Sequence, residues 1–165
     1  MTVGPEPPVG RPVAVIMEKR MVTHGRWTVP SWQAVAVVAG KNVAGPENRG
    51  TLAQSGEGFE RFLWGGLRLE LHKDAAEDYW FNLTGGRPAL YVICHESPDG
   101  AVQPHVVTAN PTEASGSIEA DARVFAVPIP PEVYHHIEQF VVKYFVPRQK
   151  GKRKRKDWME DQERG

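Results

Sequence analysis

The chain has 165 residues, of which 41% are apolar, so it can bury an ordinary core as one domain. No apolar run approaches the roughly 20 residues of a membrane span, and the first residues lack the charged and apolar regions of a secretory signal. The net charge is zero but uneven, since residues 1–146 carry 12 Lys/Arg and 16 Asp/Glu, whereas residues 147–165 carry 8 and 4. The single cysteine excludes an intramolecular disulfide and favours a reducing compartment. We therefore expect a cytoplasmic protein without a membrane span.

Composition divides the chain into three parts. Residues 1–11 are rich in proline and glycine and are predicted to be a disordered lead-in. Residues 12–147 carry most of the apolar residues and are predicted to form one β-rich domain. Residues 148–165 are predicted to be a charged, disordered tail.

The first predicted elements are two strands at residues 13–20 and 32–38, which are rich in Val, Ile and Trp. Arg26 and Trp27 lie between them, and Trp32 follows five positions after Trp27. Tryptophan and arginine are typical of protein-binding surfaces, although a tryptophan in a small domain is often a core residue. We predict that Arg26, Trp27 and Trp32 contribute to a partner-binding surface, with core packing of the tryptophans as the alternative.

Further strands are predicted along the middle of the chain. In residues 67–73 strict alternation places three leucines on one face and polar residues on the other. The other predicted strands are residues 79–83, 89–95 and 103–109, with weaker candidates at 51–54 and 124–127. Residues 85–88, Gly-Gly-Arg-Pro, are typical of a hairpin turn, and residues 40–50 are predicted to form a loop.

One long helix is predicted near the end of the domain, at residues 131–146. Val133, Ile137, Phe140 and Tyr144 follow at helical spacing, and Pro147 ends the pattern. Asn110 and Pro111 favour one or two helical turns earlier in the chain. The predicted fold class is therefore α+β and mainly β. We expect a single antiparallel sheet or small barrel of about six to seven strands with one C-terminal amphipathic helix.

The charged tail is a second candidate site. Seven of the nine residues 148–156 are cationic, and four acids follow in residues 157–163. Three interpretations remain open: a solubility tail, a segment that binds nucleic acid or another anionic surface, and a segment that becomes ordered on a protein partner. The predicted binding residues are Lys152, Arg153, Lys154, Arg155, Lys156 and, as an apolar anchor, Trp158.

The chain resembles the bacterial family numbered 3305 among the domains of unknown function. The motifs that carry this resemblance are Val15-Ile16-Met17-Glu18-Lys19-Arg20, Arg26-Trp27, Trp32-Gln33-Ala34-Val35, Gly56-Glu57-Gly58, Leu69-Glu70-Leu71-His72, Asn82-Leu83-Thr84, Val127-Pro128-Ile129-Pro130-Pro131-Glu132 and Lys152-Arg153-Lys154-Arg155-Lys156-Asp157-Trp158. The resemblance implies an association with formate dehydrogenase genes and, for some members, with molybdopterin-guanine dinucleotide biosynthesis. It implies no established activity.

The residues do not indicate a reaction. The first predicted strand is not followed by the glycine-rich loop and helix that hold nucleotide phosphates. Cys94 and His95 are neighbours in a predicted strand and therefore point to opposite faces, which favours a buried, unreactive thiol. His72, His95 and His105 converge only if their strands are adjacent, and they lack a metal-ligand spacing. We predict no catalytic residue, cofactor or metal site.

The function predicted from the sequence is that of a non-catalytic cytoplasmic accessory protein. Its expected partner is a protein, such as a subunit or assembly factor of a molybdenum-dependent formate dehydrogenase. The alternatives are an enzyme or binding protein of molybdopterin-guanine dinucleotide biosynthesis, and a module that binds nucleic acid through its basic tail.

Overall fold

The computed structural model describes residues 9–39 and 50–145. The predicted tail at residues 148–165 lies outside the described residues, as do residues 40–49 of the predicted loop and residues 1–8 of the predicted lead-in. The first strand begins at Val9, ahead of the domain boundary predicted at residue 12.

The described residues form seven strands, three α-helices and one turn of 3-10 helix. In chain order they are β1 (Val9–His24), β2 (Trp27–Ala39), β3 (Gly50–Gly56), β4 (Phe59–Leu71), the 3-10 turn (Lys73–Ala75), α1 (Ala76–Thr84), β5 (Leu90–Glu96), β6 (Val102–Thr108), α2 (Pro111–Glu119), β7 (Arg123–Val127) and α3 (Pro131–Tyr144).

The seven strands form one sheet in the order β2-β1-β4-β6-β5-β7, and β3 also pairs with β4. The outer strands β2 and β7 contact each other, so the sheet is a nearly closed barrel. The expectation of a mainly β fold with about seven strands is therefore confirmed. The expectation of a purely antiparallel sheet is wrong, because β4 and β6 pair in parallel at Leu69 and Val107. Strand direction depends on how distant segments assemble, which the local pattern does not encode.

The prediction of a strand at residues 79–83 is wrong, because these residues lie in α1. Ala76, Tyr79 and Leu83 are buried at helical spacing, whereas Phe81 is exposed. A short apolar run fits a strand or a helix equally well, and the acidic first turn of α1 favours the helix. Residues 85–88 consequently link a helix to a strand and do not form a hairpin.

The closing helix is confirmed as α3, which buries Val133, Ile137 and Phe140 in the core. Tyr144 is only partly buried. The expectation of a single helix is wrong, since α1 and α2 are also present. The predicted start of α2 is confirmed, because the Asn110 side chain accepts a hydrogen bond from the backbone N–H of Thr112.

One end of the sheet extends away from the core. The buried residues of β1 end at Glu18, and those of β2 begin at Ala34. Beyond them lie residues 18–33 of the β1–β2 hairpin and residues 50–62 of the β3–β4 hairpin, which together are called the β arm here. The β arm carries the first group of predicted site residues.

Candidate protein-binding site

The β arm has two faces, which follow from the strand register. Residues paired across antiparallel strands share a face, as do residues two positions apart in one strand. Glu18 is paired with Gln33 and Arg61. The next pairs on the same face are Arg20 with Phe59, Val22 with Val29 and, at the tip, His24 with Trp27. This side of the β arm is called the arginine face.

A buried carboxylate organises the centre of the arginine face. The Glu18 side chain is only 2% exposed, and its carboxylate accepts hydrogen bonds from Arg20 Nε at 3.0 Å and Arg61 Nε at 2.9 Å. Gln33 Nε2 donates a third bond at 3.4 Å. Burial alone would raise the pKa of Glu18, but the hydrogen bonds and positive charges of Arg20 and Arg61 outweigh it and hold the pKa below its ordinary value. The Glu18 carboxylate is therefore ionised at neutral pH.

The two guanidinium groups are also held by an aromatic ring. Both Arg20 and Arg61 lie over the Phe59 ring, each 5.3 Å from its centroid. Arg61 Nη1 additionally donates to Gln54 Oε1 of β3 at 3.3 Å. Both arginine side chains are nevertheless partly exposed to solvent. They are fixed in position and still able to bind an external group.

At the tip of the β arm, Trp27 is 74% exposed. Val29 on the same face is also exposed, and Arg26 lies in the turn directly before Trp27. A tryptophan exposed to this degree leaves a large apolar area in contact with water. The arginine face therefore combines an apolar tip with two fixed cations.

Trp32 is not part of this face. It pairs with Lys19 in the strand register, which places it on the opposite side of the β arm. There it packs against the edge of the core, with its ring 5.8 Å from that of Phe62 and the Lys19 ammonium 5.8 Å above it. The structure thus separates Trp27 from Trp32, because an odd spacing in a strand reverses the face.

The other predicted site residues, Lys152–Lys156 and Trp158, lie outside the described residues. Sequence reasoning did not identify Glu18, Arg61 or Phe59 as site residues. Arg61 lies 43 residues from Glu18 in the chain, so only the strand register brings them together. The sequence contained one indication of this charged cluster, at the end of the first predicted strand. Glu18 and Arg20 lie two positions apart there and hence on one face.

The three histidines for which the sequence left convergence open lie away from the β arm. His95 and His105 are on the adjacent strands β5 and β6, and His72 directly follows β4. The rings of His95 and His105 are 4.2 Å apart between centroids, and both line a cleft of about 520 Å³ beside α2. His72 and His105 line a neighbouring cleft of about 310 Å³. Within residues 9–39 and 50–145, no group of three or more potential ligands is placed to hold a metal ion.

Cys94 is the residue for which a buried thiol was expected. It is buried on the core side of β5, whereas its neighbour His95 is exposed. Burial raises the pKa of the Cys94 thiol to about 12 and outweighs the positive charge of Arg123, which acts to lower it. The buried position of this thiol is confirmed, and the thiol is protonated at neutral pH.

These features describe a small mixed β-barrel domain with an exposed arm that presents tryptophan and arginine. The chain belongs to the family described as "Protein of unknown function (DUF3305)", whose model matches residues 12–154. No curated protein and no solved structure matches the chain. None of the helices in the described part of the chain is long and apolar enough to cross a membrane.

Proposed function

We propose that this chain is a non-catalytic cytoplasmic accessory protein that binds another protein through the arginine face of its β arm. The observation that carries the proposal is the exposure of Trp27 on the same face as two arginines held by Glu18. Tryptophan and arginine are the residue types that most often dominate the energy of protein interfaces.

The fixed positions of the arginines favour this role energetically. Ordering a long side chain at an interface costs about 0.5–1.5 kcal/mol. Arg20 and Arg61 are already bound to Glu18 and stacked on Phe59 in the free protein, so this cost is largely avoided. The arrangement is typical of a surface organised before its partner arrives.

The chemistry of the face also indicates the surface that it fits. Arg20 and Arg61 accompany Glu18 on this face, and Arg26 lies in the adjoining turn. The other two acids of the β arm lie elsewhere, Glu57 in the β3–β4 turn and Glu60 on the opposite face. A complementary partner offers acidic groups to the arginines and an apolar pocket to Trp27. We propose that this partner is a subunit or assembly factor of a molybdenum-dependent formate dehydrogenase, as the family resemblance implies.

Binding of the purified full chain to a purified molybdenum-dependent formate dehydrogenase, measured by calorimetry, tests the proposal. Trp27→Ala should weaken binding about 30-fold, which corresponds to the loss of about 2 kcal/mol expected at a dominant interface residue. The matched control is Trp80→Ala, because Trp80 is a partly exposed tryptophan on α1, away from the β arm.

The outcomes test the choice of partner and the choice of binding site separately. Weaker binding for Trp27→Ala and unchanged binding for Trp80→Ala support both choices. If the formate dehydrogenase binds wild type and both variants equally, the role of the arginine face is contradicted. If it does not bind the wild-type chain at all, the choice of partner is contradicted.

A further inference from the structure

Within residues 9–39 and 50–145, strand β3 is paired along one edge only, and its other edge is called the free edge here. One of its edges pairs with β4, from Gly50 opposite Trp64 to Gly56 opposite Phe59, and in the described part of the chain no strand pairs with its other edge. All seven residues of β3 are exposed, including Leu52, which is 53% exposed. This edge therefore offers backbone N–H and C=O groups to an incoming strand.

The sequence of β3 lacks the charged and proline residues that usually protect such an edge. Proteins discourage unwanted pairing at edges with lysine, other charged side chains or proline. Residues 50–56, Gly-Thr-Leu-Ala-Gln-Ser-Gly, contain none of these. The register shift between Leu52 and Gln54 is a β-bulge or a similar irregularity, and it is the one edge-protecting feature of β3. An uncharged exposed edge is the type of surface that recognises an extended peptide by adding it to a sheet.

The two faces beside this edge differ in chemistry. On the arginine face, Arg61 of β4 donates from Nη1 to Gln54 Oε1 of β3 at 3.3 Å, so a cation lies beside β3 on this face. On the opposite face, Leu52 is paired with Phe62. Side chains of an added strand point alternately to these two faces. One set then lies on the face of Arg61, and the other lies on the face of Leu52 and Phe62, which also carries Glu60 opposite Ser55.

We propose that the free edge of β3 binds an extended segment of the partner protein in which acidic and apolar residues alternate. The inference rests on the proposed function and specifies how the partner is bound. Backbone hydrogen bonds to β3 supply affinity, and the alternation of acidic and apolar side chains supplies specificity.

The test uses an acetylated and amidated octapeptide of alternating Glu and Val and the isotope-labelled full chain. NMR titration should shift the amide signals of β3, and hydrogen exchange at β3 should slow on binding. A peptide of alternating Lys and Val should bind about tenfold more weakly, because it presents cations to Arg61. A Glu and Val peptide with N-methylated backbone should not bind, since it lacks the donors for strand pairing.

A matched pair of variants locates the site. Leu52→Glu should weaken binding of the Glu and Val peptide at least about tenfold, because it removes apolar contact and adds repulsion. Ile118→Glu on α2 introduces the same charge at a similarly exposed aliphatic residue and should leave binding unchanged. Equal effects of the two variants, or equal binding of the N-methylated peptide, would overturn the inference.

Failure of this inference and failure of the proposed function give different results. If Trp27→Ala weakens binding of formate dehydrogenase but Leu52→Glu does not, the result supports partner binding by the arginine face and overturns the role of the β3 edge. If light scattering shows a dimer of the chain that Leu52→Glu converts to monomer, the edge binds a second copy, which also overturns the inference.

Discussion

Replacing Glu18 with glutamine tests whether the buried carboxylate stabilises the β arm. The substitution preserves side-chain volume but removes the charge that Arg20 and Arg61 contact at 3.0 and 2.9 Å. A hydrogen bond to a charged group contributes about 1.5–3 kcal/mol to stability. Both arginine side chains are partly exposed and recover water, so we expect a total loss of about 2 kcal/mol in the free energy of unfolding.

Urea unfolding near neutral pH, followed by circular dichroism, measures this difference. Thermal unfolding of the same variant gives a second readout. A loss of about 2 kcal/mol should lower the melting temperature by about 4–8 °C in a domain of this size. Glu70→Gln is the control, because Glu70 is an exposed residue on β4, and its substitution should change stability by less than about 0.5 kcal/mol.

The pH dependence identifies the charge as the cause. The folded protein holds the pKa of Glu18 below the ordinary value of 4.5, so the unfolded chain binds the proton more readily. The stabilisation is therefore complete above pH 4.5 and is lost as the pH falls through the folded pKa. The stability difference between wild type and Glu18→Gln should narrow over this range. A variant as stable as wild type at neutral pH, or a difference that does not change with pH, would refute the reasoning.

Three further predictions concern the core. Asn82→Ala should cost about 3 kcal/mol in urea unfolding, because the buried Asn82 amide bonds the backbone of Ala89 and Ala109, which would lose those partners. Ile137→Asp should prevent folding, as judged by circular dichroism, since it places a charge at a fully buried position, whereas Ile137→Val should cost only about 1 kcal/mol. Cys94 should react with a thiol reagent at least about 100-fold more slowly in the native protein than in urea, because its thiol is buried and its pKa is raised to about 12; equal rates would contradict this.

Elements with a long, regular pattern could be predicted from the sequence alone. Residues 67–71 of the alternating pattern form the end of β4, whereas His72 and Lys73 lie beyond it, and the apolar stripe from Val133 to Phe140 marks α3. Both patterns repeat over several residues and therefore fit only one type of element. The five residues 79–83 are too few to separate strand from helix, so the prediction was wrong for α1.

Tertiary structure alone decided how the strands combine. The parallel contact of β4 with β6, and the pairing of β3 along one edge only in the described part of the chain, depend on which distant segments pair. The sequence indicated Trp27 as a surface candidate, but the register separated it from Trp32 and placed it on one face with Arg20 and Arg61. Side-chain direction along a strand has a period of two, so a local pattern gives alternation but not the partner across the sheet. The pairing of Glu18 with Arg61 is therefore a property of the assembled sheet.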